Sequence, residues 1–265
     1  MRILFLGDIV GRPGRAAVTD TLPRWKEEHA PDFVIANPEN SAHGHGATQA
    51  TLRELQAAGV DAFTFGDHFD DDAYAKLDAF PIVRPANFTG NRPGHGAVRL
   101  ETALHDEILV VSLAGSAFMK PSVKNFFDVI DAVIKEQRTA ATKAVFVDFH
   151  AETTSEKTAL GHHLDGKASA IVGTHTHVPT ADEQILPGGT AYITDVGMCG
   201  VLHGVLGFDA ATSERWLRKE MGEDMGKVPL AVSEKEPYVC DAVLIETDGP
   251  TKSKSIKRLT TRPQS

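Results

Sequence analysis

The chain has 265 residues, and 27 Lys and Arg residues set against 36 Asp and Glu residues give it a formal net charge of −9. An acidic balance of this size argues against a broad electrostatic surface for nucleic acid, so we expect no stable nucleic-acid complex. The two cysteines, Cys199 and Cys240, are too few to form a disulfide framework or a four-thiolate metal site.

The N-terminal segment lacks the pattern of a targeting signal. Asp8 interrupts its short apolar run, and no small-residue cleavage site follows. No stretch of the chain approaches the roughly 18 to 20 consecutive apolar residues that span a bilayer. We therefore expect a soluble protein without membrane association, located in the cytoplasm.

Eight short apolar runs predict β-strands. They cover residues 3–6, 33–36, 62–65, 108–113, 144–149, 170–172, 191–194 and 239–245. Several runs are continuous in Val, Ile, Leu and Phe instead of alternating with polar residues, which is typical of strands covered on both faces.

Helix-compatible segments lie between the runs. Residues 15–28 follow Pro13, which suits a first helical turn, and residues 48–58 and 125–138 carry apolar side chains at helical spacing. Strand followed by helix, repeated along the chain, predicts an α/β fold. No linker, low-complexity tract or internal repeat divides the sequence, so we predict a single domain over residues 1–265. The basic stretch 252–258 is interpreted as a solvated strand or loop.

Side chains that can bind a metal ion follow five of the apolar runs. A lone Asp after a strand is usually a cap or turn residue. In open α/β sheets, however, the carboxyl ends of the strands open into one crevice, so residues far apart in sequence can converge there. The candidate residues are Asp8, Glu39, Asn40, Asp67, His68, His150, His175 and His177.

This set combines oxygen and nitrogen donors without a thiolate, which suits Mn, Fe or Zn. It has more donors than one ion needs, and it would satisfy two ions about 3.5 to 4 Å apart, the spacing of two-metal phosphoesterases. Such a pair generates hydroxide from water near neutral pH and binds phosphate oxygens. The pattern therefore indicates phosphoester hydrolysis without a protein nucleophile.

Other catalytic motifs are weaker. The glycines of residues 7–14 miss the dinucleotide-binding spacing, and Asp8 occupies the position where a pyrophosphate would approach. No Gly-x-Ser-x-Gly motif is present, which argues against a serine hydrolase. Cys199 is interpreted as a small buried residue instead of a thiol nucleophile.

The order of the motifs GD, PEN, GDH, RPAN, DFHAE, GTHTHVPTAD and TDVGMCG resembles that of the bacterial calcineurin-like metallophosphoesterases of the YmdB type. The similarity extends over nearly the whole chain. It implies a four-layer α/β/β/α sandwich and phosphodiesterase activity towards 2′,3′- and 3′,5′-cyclic nucleotides. It also implies two divalent or mixed-valence metal ions, with iron the first choice, manganese the second and zinc the third.

The resemblance assigns a role to each candidate. One ion would be held by Asp8, Glu39, Asn40 and His177. Glu39 would bridge to a second ion held by Asp67, His150 and His175. His68 matches the general acid that protonates the departing ribose oxygen after attack by a metal-activated hydroxide, and Asn87 and Thr176 would help to shape the substrate pocket.

Asp67 departs from the family pattern, which usually has Asn before the catalytic His. Both side chains offer an oxygen ligand, but the carboxylate adds a negative charge. Asp8, Glu39 and Asp67 together contribute about −3 against about +4 from two divalent ions, and a bridging hydroxide brings the centre to about neutral. A neutral centre should attract phosphate less strongly and acidify its water less.

Two alternatives to a cyclic-nucleotide phosphodiesterase stay open. The Asp67 carboxylate favours a nucleotide-sensing regulatory module with low turnover. The same chemistry also serves a phosphomonoesterase acting on a small metabolite or a phosphoprotein. In each case we expect a small phosphoester or phosphorylated partner, and the sequence leaves a homo-oligomer open.

Overall fold

The computed structural model of the protein describes every residue except 75, 76, 78, 121, 236 and 263–265. The described residues form an α/β structure with mixed sheets, as predicted. The strands are β1 (Arg2–Leu6), β2 (Asp8–Ile9), β3 (Phe33–Ala36), β4 (Ala62–Thr64), β5 (Ile82–Val83), β6 (Ala97–Glu101), β7 (Glu107–Ala114), β8 (Thr142–His150), β9 (Ala170–Thr174), β10 (Gln184–Ile185), β11 (Ala191–Ile193), β12 (Met198–Val201), β13 (Tyr238–Thr247) and β14 (Ser253–Thr260). The helices are α1 (Gly11–His29), α2 (Gln49–Ala58), α3 (Asp71–Tyr74), α4 (Phe126–Gln137), α5 (Thr154–Leu164) and α6 (Ala210–Glu220).

All eight predicted strands and all three predicted helices are confirmed. Helix α1 begins at Gly11, four residues earlier than predicted, because Pro13 fits its first turn. The basic stretch 252–258 lies largely in strand β14. The two-residue strands were not predicted, because they are too short to show a period. Strands β6 and β12, the one-turn helix α3, and the mostly polar helices α5 and α6 were not predicted either.

The strands form two sheets. The first has the order β2-β12-β13-β1-β3-β4-β5, with β14 beside β13, and the second has the order β10-β11-β9-β8-β7-β6. Strands β1, β3, β4 and β5 are parallel to one another, as are β7, β8, β9 and β11. The carboxyl ends of the parallel strands in each sheet therefore lie along one edge.

Three apolar clusters explain why the strands are hydrophobic on both faces. In β1, Ile3 and Phe5 join a cluster made by side chains of both sheets, and the Phe5 ring lies 5.1 Å from that of Phe146 in β8. Leu4 and Leu6 point the other way and pack in a cluster with α1 and α2. The outward-facing residues of β8 pack in a third cluster with α4 and α5. A strand buried on both sides has no polar face, so its sequence does not alternate.

The two cysteines are neighbours in the fold. Cys199 of β12 and Cys240 of β13 are directly paired in the antiparallel ladder, and their sulfur atoms are 3.2 Å apart. Both are buried free thiols, which agrees with the interpretation of Cys199 as a small core residue. Among the residues that the structure describes, no helix combines the length and the apolar character needed to cross a bilayer.

The cluster between the sheets should contribute strongly to the stability of the fold. Replacing Phe146, which is fully buried there, by Ala should lower the free energy of unfolding in urea by about 3 to 5 kcal/mol, because the change removes apolar contacts and leaves a cavity. The matched control is Phe118→Ala, since the Phe118 side chain is 90% exposed. A Phe146→Ala protein no less stable than Phe118→Ala would contradict this description of the core.

Candidate metal centre

The candidate ligands lie at the carboxyl ends of strands from both sheets. In the first sheet, Asp8 follows β1 after a single glycine, Glu39 and Asn40 follow β3, and Asp67 follows β4. In the second sheet, His150 is the last residue of β8. His175 and His177 follow β9. The facing sheets bring these two rows of strand ends together.

His150 is at the centre of the cluster. Its Nε2 atom is 2.9 Å from Glu39 Oε1 and 3.2 Å from Asp67 Oδ1, and its Nδ1 atom is 3.9 Å from Asp8 Oδ1. Three overlapping groups of potential ligand atoms, each within 4.8 Å, are present among the described residues. They are Asp8 with Glu39 and His150, Asp67 with His150 and His175, and Glu39 with Asp67 and His68.

The two histidines after β9 join the cluster from the second sheet. His175 Nδ1 is 3.0 Å from His150 Nε2 and 3.6 Å from Asp67 Oδ1, while His177 Nε2 is 3.9 Å from Asp8 Oδ1. Both residues have positive φ angles, 94° at His175 and 61° at His177. Holding a non-glycine residue at positive φ costs about 1 to 3 kcal/mol, so contacts with the surrounding structure have to keep this loop in its conformation.

His68 and Asn40 lie side by side at the edge of the cluster. Asn40 Nδ2 is 3.0 Å from His68 Nδ1, which is 3.8 Å from Glu39 Oε1. The His45 ring packs against that of His68 with 4.2 Å between centroids and a tilt of 55° between the ring planes. Burial lowers the pKa of His68, although the carboxylates of Glu39 and Asp67 oppose this shift.

The charged groups of the cluster are removed from water. Asp8, Glu39 and His150 are at most 1% exposed. Burial works against the ionised carboxylate of Asp67, but hydrogen bonds with His150 and His175 hold its pKa far below the usual range. Burial also disfavours a charged His150, yet Glu39 and Asp67 raise the pKa of this imidazole well above its ordinary value. Positive charge at the centre therefore stabilises the carboxylates.

Two buried acceptors in the cluster have no hydrogen-bond partner. They are Asp8 Oδ1 and Asn40 Oδ1, and only Ser213 Oγ shares this property among the described residues. Buried polar atoms are almost always satisfied, so two unpaired oxygens beside four imidazoles require a partner. The oxygen and nitrogen donors suit Fe, Mn or Zn, and the residues present therefore fit a metal centre.

A layer of polar residues behind His150 was not predicted from the sequence. Thr174 Oγ1 is 2.9 Å from His150 Nδ1 and donates to Asp148 Oδ1 at 2.8 Å, while Thr64 donates to the other oxygen of Asp148. Burial raises the pKa of Asp148 to about 7. Asp148 could have been found, because residues i and i+2 of a strand share a face and it lies two positions before His150.

A cleft of about 300 Å³ opens over the cluster. Its polar lining residues are Glu39, Asn40, His68, Glu152, His175, Thr176 and His177. Its apolar lining residues are Leu206, Phe208 and Leu230. Glu152, which was not among the candidates from the sequence, lies 3.1 Å from His175 through its Oε2 atom.

The two residues predicted to bind substrate differ in position. Thr176 lines the cleft, but its hydroxyl donates to Asp195 Oδ2 at 2.7 Å. Asn87 is buried, and its side-chain amide bonds the main chain of Ala114 and Lys124. The structure therefore brings Thr176 to the cleft, and it gives Asn87 main-chain partners away from the cleft lining.

Comparison with known proteins agrees with this architecture. Residues 4–259 match the family described as YmdB-like protein. The 2′,3′-cyclic-nucleotide 2′-phosphodiesterase of Bacillus subtilis (strain 168) is 42% identical over 262 residues, which are 98% of this chain and 96% of that protein. A hypothetical protein from Thermus thermophilus is similar in structure with a TM-score of 0.87 at 38% identity, covering 98% of both chains. A novel phosphatase from Mycoplasma pneumoniae gives a TM-score of 0.87 at 32% identity, covering 98% of this chain and 92% of that one.

Binding of a divalent ion should stabilise the chelator-treated protein through Asp8. Mn²⁺ at about 100 times its dissociation constant should add about 2.7 kcal/mol and raise the melting temperature by about 5 to 10 °C. Asp8→Ala, which removes the ligand oxygens, should abolish most of this rise, whereas Asp20→Ala, at an exposed helix position, should retain it. An equal rise in both variants, or none in the natural protein, would contradict the site.

Proposed function

Because the chain belongs to the YmdB-like protein family, we propose that it is a metal-dependent phosphodiesterase that hydrolyses 2′,3′- and 3′,5′-cyclic nucleotides. The observation that carries the proposal is the convergence of three buried residues, Asp8, Glu39 and His150. Two oxygen acceptors of the same cluster, Asp8 Oδ1 and Asn40 Oδ1, have no hydrogen-bond partner. The activity named for the Bacillus subtilis relative supports the 2′,3′ substrates. Activity towards 3′,5′ substrates rests on the family resemblance.

The ligand set that we propose has two halves. The first ion would be held by Asp8, Glu39, Asn40 and His177, and the second by Glu39, Asp67, His150 and His175. Glu39 is suited to the shared position because it belongs to two of the three ligand groups. When bound, the two ions would supply Lewis acidity towards a water molecule and the phosphate oxygens. Iron is the proposed first choice, followed by manganese and then zinc.

His68 is the proposed general acid. Asn40 Nδ2 lies 3.0 Å from His68 Nδ1, and this contact orients the imidazole in the lining of the cleft. This contact also turns Asn40 Oδ1, which has no hydrogen-bond partner, away from His68 and leaves it free for an ion. A ribose alkoxide is a poor leaving group, and a proton from His68 would stabilise it as it departs.

The apolar lining residues of the cleft favour a nucleotide over a small polar phosphoester as the substrate. Leu206 and Leu230 are each about two-fifths exposed, and Phe208 lies beside them in the cleft lining. Such a surface can cover one face of a nucleobase while the phosphate lies against the histidines. This arrangement argues for a nucleotide substrate over the small polar metabolite of the phosphomonoesterase alternative. The substrate-binding roles of Asn87 and Thr176 stay predictions.

We also propose the four-layer α/β/β/α sandwich and a single domain over residues 1–265. The three apolar clusters support this order of layers, because one contains side chains of both sheets and the other two each join one sheet to its helices. Location in the cytoplasm and a homo-oligomeric state stay predictions.

The Asp67 carboxylate supports one competing function, a nucleotide-sensing module with low turnover. The Asp67 carboxylate lies 3.2 Å from His150 and 3.6 Å from His175, so it adds a negative charge directly at the metal centre. A centre with lower net positive charge attracts phosphate less strongly. Binding without hydrolysis would be the signature of this alternative.

The role of His68 can be separated from metal binding by changing the leaving group. His68→Ala should lower kcat for 2′,3′-cyclic AMP by about 10²- to 10⁴-fold. It should lower kcat for bis-p-nitrophenyl phosphate by less than about tenfold, because p-nitrophenolate departs without a proton. His105→Ala is the control, since this histidine is exposed. Equal losses with both substrates, or no loss, would contradict a general acid at this position.

The choice between enzyme and sensor depends on Asp67→Asn. We expect the natural protein to hydrolyse 2′,3′-cyclic AMP, and the variant to raise kcat by up to about tenfold because the centre becomes more positive. The measurement is steady-state turnover together with calorimetric binding of the same nucleotide. Calorimetric binding to a natural protein without turnover, with activity appearing only in the variant, would favour the sensor.

A further inference from the structure

A buried ion pair lies behind the histidine loop. Lys157 of α5 contacts Asp195, which follows β11, with Nζ 2.8 Å from Oδ2. Lys157 is 1% exposed and Asp195 is fully buried. Removing two charges from water is expensive, and a buried pair adds little stability compared with apolar residues of similar volume. The pair is outside the groups of potential metal ligands, so its position calls for another explanation.

The Asp195 carboxylate contacts the loop that carries the two histidines. Its Oδ2 atom accepts hydrogen bonds from the main-chain N–H of Thr176 at 3.2 Å and from the Thr176 hydroxyl at 2.7 Å. Thr176 is the residue between His175 and His177. These two bonds fix the centre of a loop whose flanking residues both have positive φ.

The same carboxylate is linked to the Asp8 segment through one residue, Gly197. Asp195 Oδ1 accepts from the N–H of Gly197 at 2.8 Å, and the Gly197 carbonyl accepts from the N–H of Asp8 at 3.1 Å. Asp8 Oδ2 in turn accepts from the N–H of His175 at 3.1 Å. A closed chain of hydrogen bonds therefore links Asp195, Asp8 and the histidine loop.

Two glycines provide the space that this arrangement needs. A Cβ atom on Gly173 would lie 2.9 Å from Lys157 Cδ and 1.8 Å from the carbonyl oxygen of Thr194. A Cβ atom on Gly7 would lie 2.1 Å from the carbonyl oxygen of Gly197. The two carbonyl contacts exclude a side chain at both positions, so glycine is required where β9 passes Thr194 beside Lys157 and where Gly7 passes Gly197.

We propose that Lys157 and Asp195 are positioning residues, which act through Thr176 and Gly197 to hold His175, His177 and Asp8 at metal-binding separations. The inference rests on the proposed function in that it requires the cluster to bind metal ions. Lys157 pairs with the Asp195 carboxylate. This carboxylate accepts two hydrogen bonds from Thr176 in the histidine loop and one from Gly197, whose carbonyl accepts from the N–H of Asp8. Mutation of residues that hold metal ligands in place through hydrogen bonds typically weakens metal affinity by about 10- to 100-fold.

Two substitutions of Thr176 distinguish the positioning role from direct contact with substrate. Thr176→Val removes the hydroxyl at nearly constant volume, and Thr176→Ser keeps it. In calorimetric titrations of the chelator-treated protein with Mn²⁺, Thr176→Val should weaken affinity by about 10- to 100-fold. Thr176→Ser should keep its Mn²⁺ affinity within about threefold of that of the natural protein. The KM for 2′,3′-cyclic AMP at saturating Mn²⁺ is measured in both variants as a separate readout of substrate contact. Unchanged Mn²⁺ affinity with a raised KM in Thr176→Val would overturn the proposal and assign Thr176 to the substrate.

The ion pair itself is tested with a charge-neutral double variant. Lys157→Met alone leaves a buried carboxylate without its cation and can fail to fold, so the informative protein is Lys157→Met combined with Asp195→Asn. We expect this protein to keep its far-UV circular dichroism spectrum and to bind Mn²⁺ about 10- to 100-fold more weakly. Native Mn²⁺ affinity in the folded double variant would overturn the positioning role.

The outcomes also distinguish this inference from the proposed function. If the natural protein turns over 2′,3′-cyclic AMP but Mn²⁺ affinity is insensitive to Thr176→Val, the positioning role fails and the phosphodiesterase assignment stands. If affinity depends on the Thr176 hydroxyl but no cyclic nucleotide is hydrolysed, the positioning role stands and the substrate assignment fails. A natural protein that binds no Mn²⁺ would overturn both.

Discussion

Asp8 and Glu39 are carboxylates buried almost completely between two sheets, and His150 lies between them with its two ring nitrogens 3.9 Å from Asp8 and 2.9 Å from Glu39. Negative charge in such an environment requires compensation, because the interior solvates ions far less well than water does. The raised pKa of His150 reflects this demand for positive charge, and the unpaired Oδ1 of Asp8 indicates that cations belong at the centre. Much of the arrangement of the site follows from this requirement, since cations at the strand ends would satisfy both carboxylates and the unpaired oxygen.

The fold makes this concentration of charge possible by surrounding it with apolar strands. Parallel strands within each sheet align their carboxyl ends, and the cluster shared by the two sheets brings the two rows of ends face to face. The sequence alone was sufficient to predict this much: the runs are apolar throughout, their ends are sharply marked by polar residues, and the alignment of parallel strands is general. Every predicted ligand from Asp8 to His177 consequently takes part in one connected set of contacts.

Other features depend on tertiary structure and leave little trace in the sequence. Lys157 lies in a helix with weak amphipathic character, so nothing marks it as a buried cation, and Asp195 follows a strand of only three residues. The pairing of Cys199 with Cys240 comes from the register of β12 against β13, which cannot be derived from their separation along the chain. The positive φ angles of His175 and His177 are likewise invisible in a Thr-His-Thr-His motif, although they determine the direction of both rings.

The central claim is that distant side chains from both sheets together hold two metal ions. Anomalous scattering from crystals of the purified protein, collected on both sides of the iron and manganese absorption edges, tests the number, identity and ligands of the ions in one measurement. We expect two peaks that share Glu39, one beside Asp8 and His177 and the other beside Asp67 and His175, each about 2.0 to 2.3 Å from its ligand atoms. Crystals of metal-saturated protein without a peak at these residues would contradict the account.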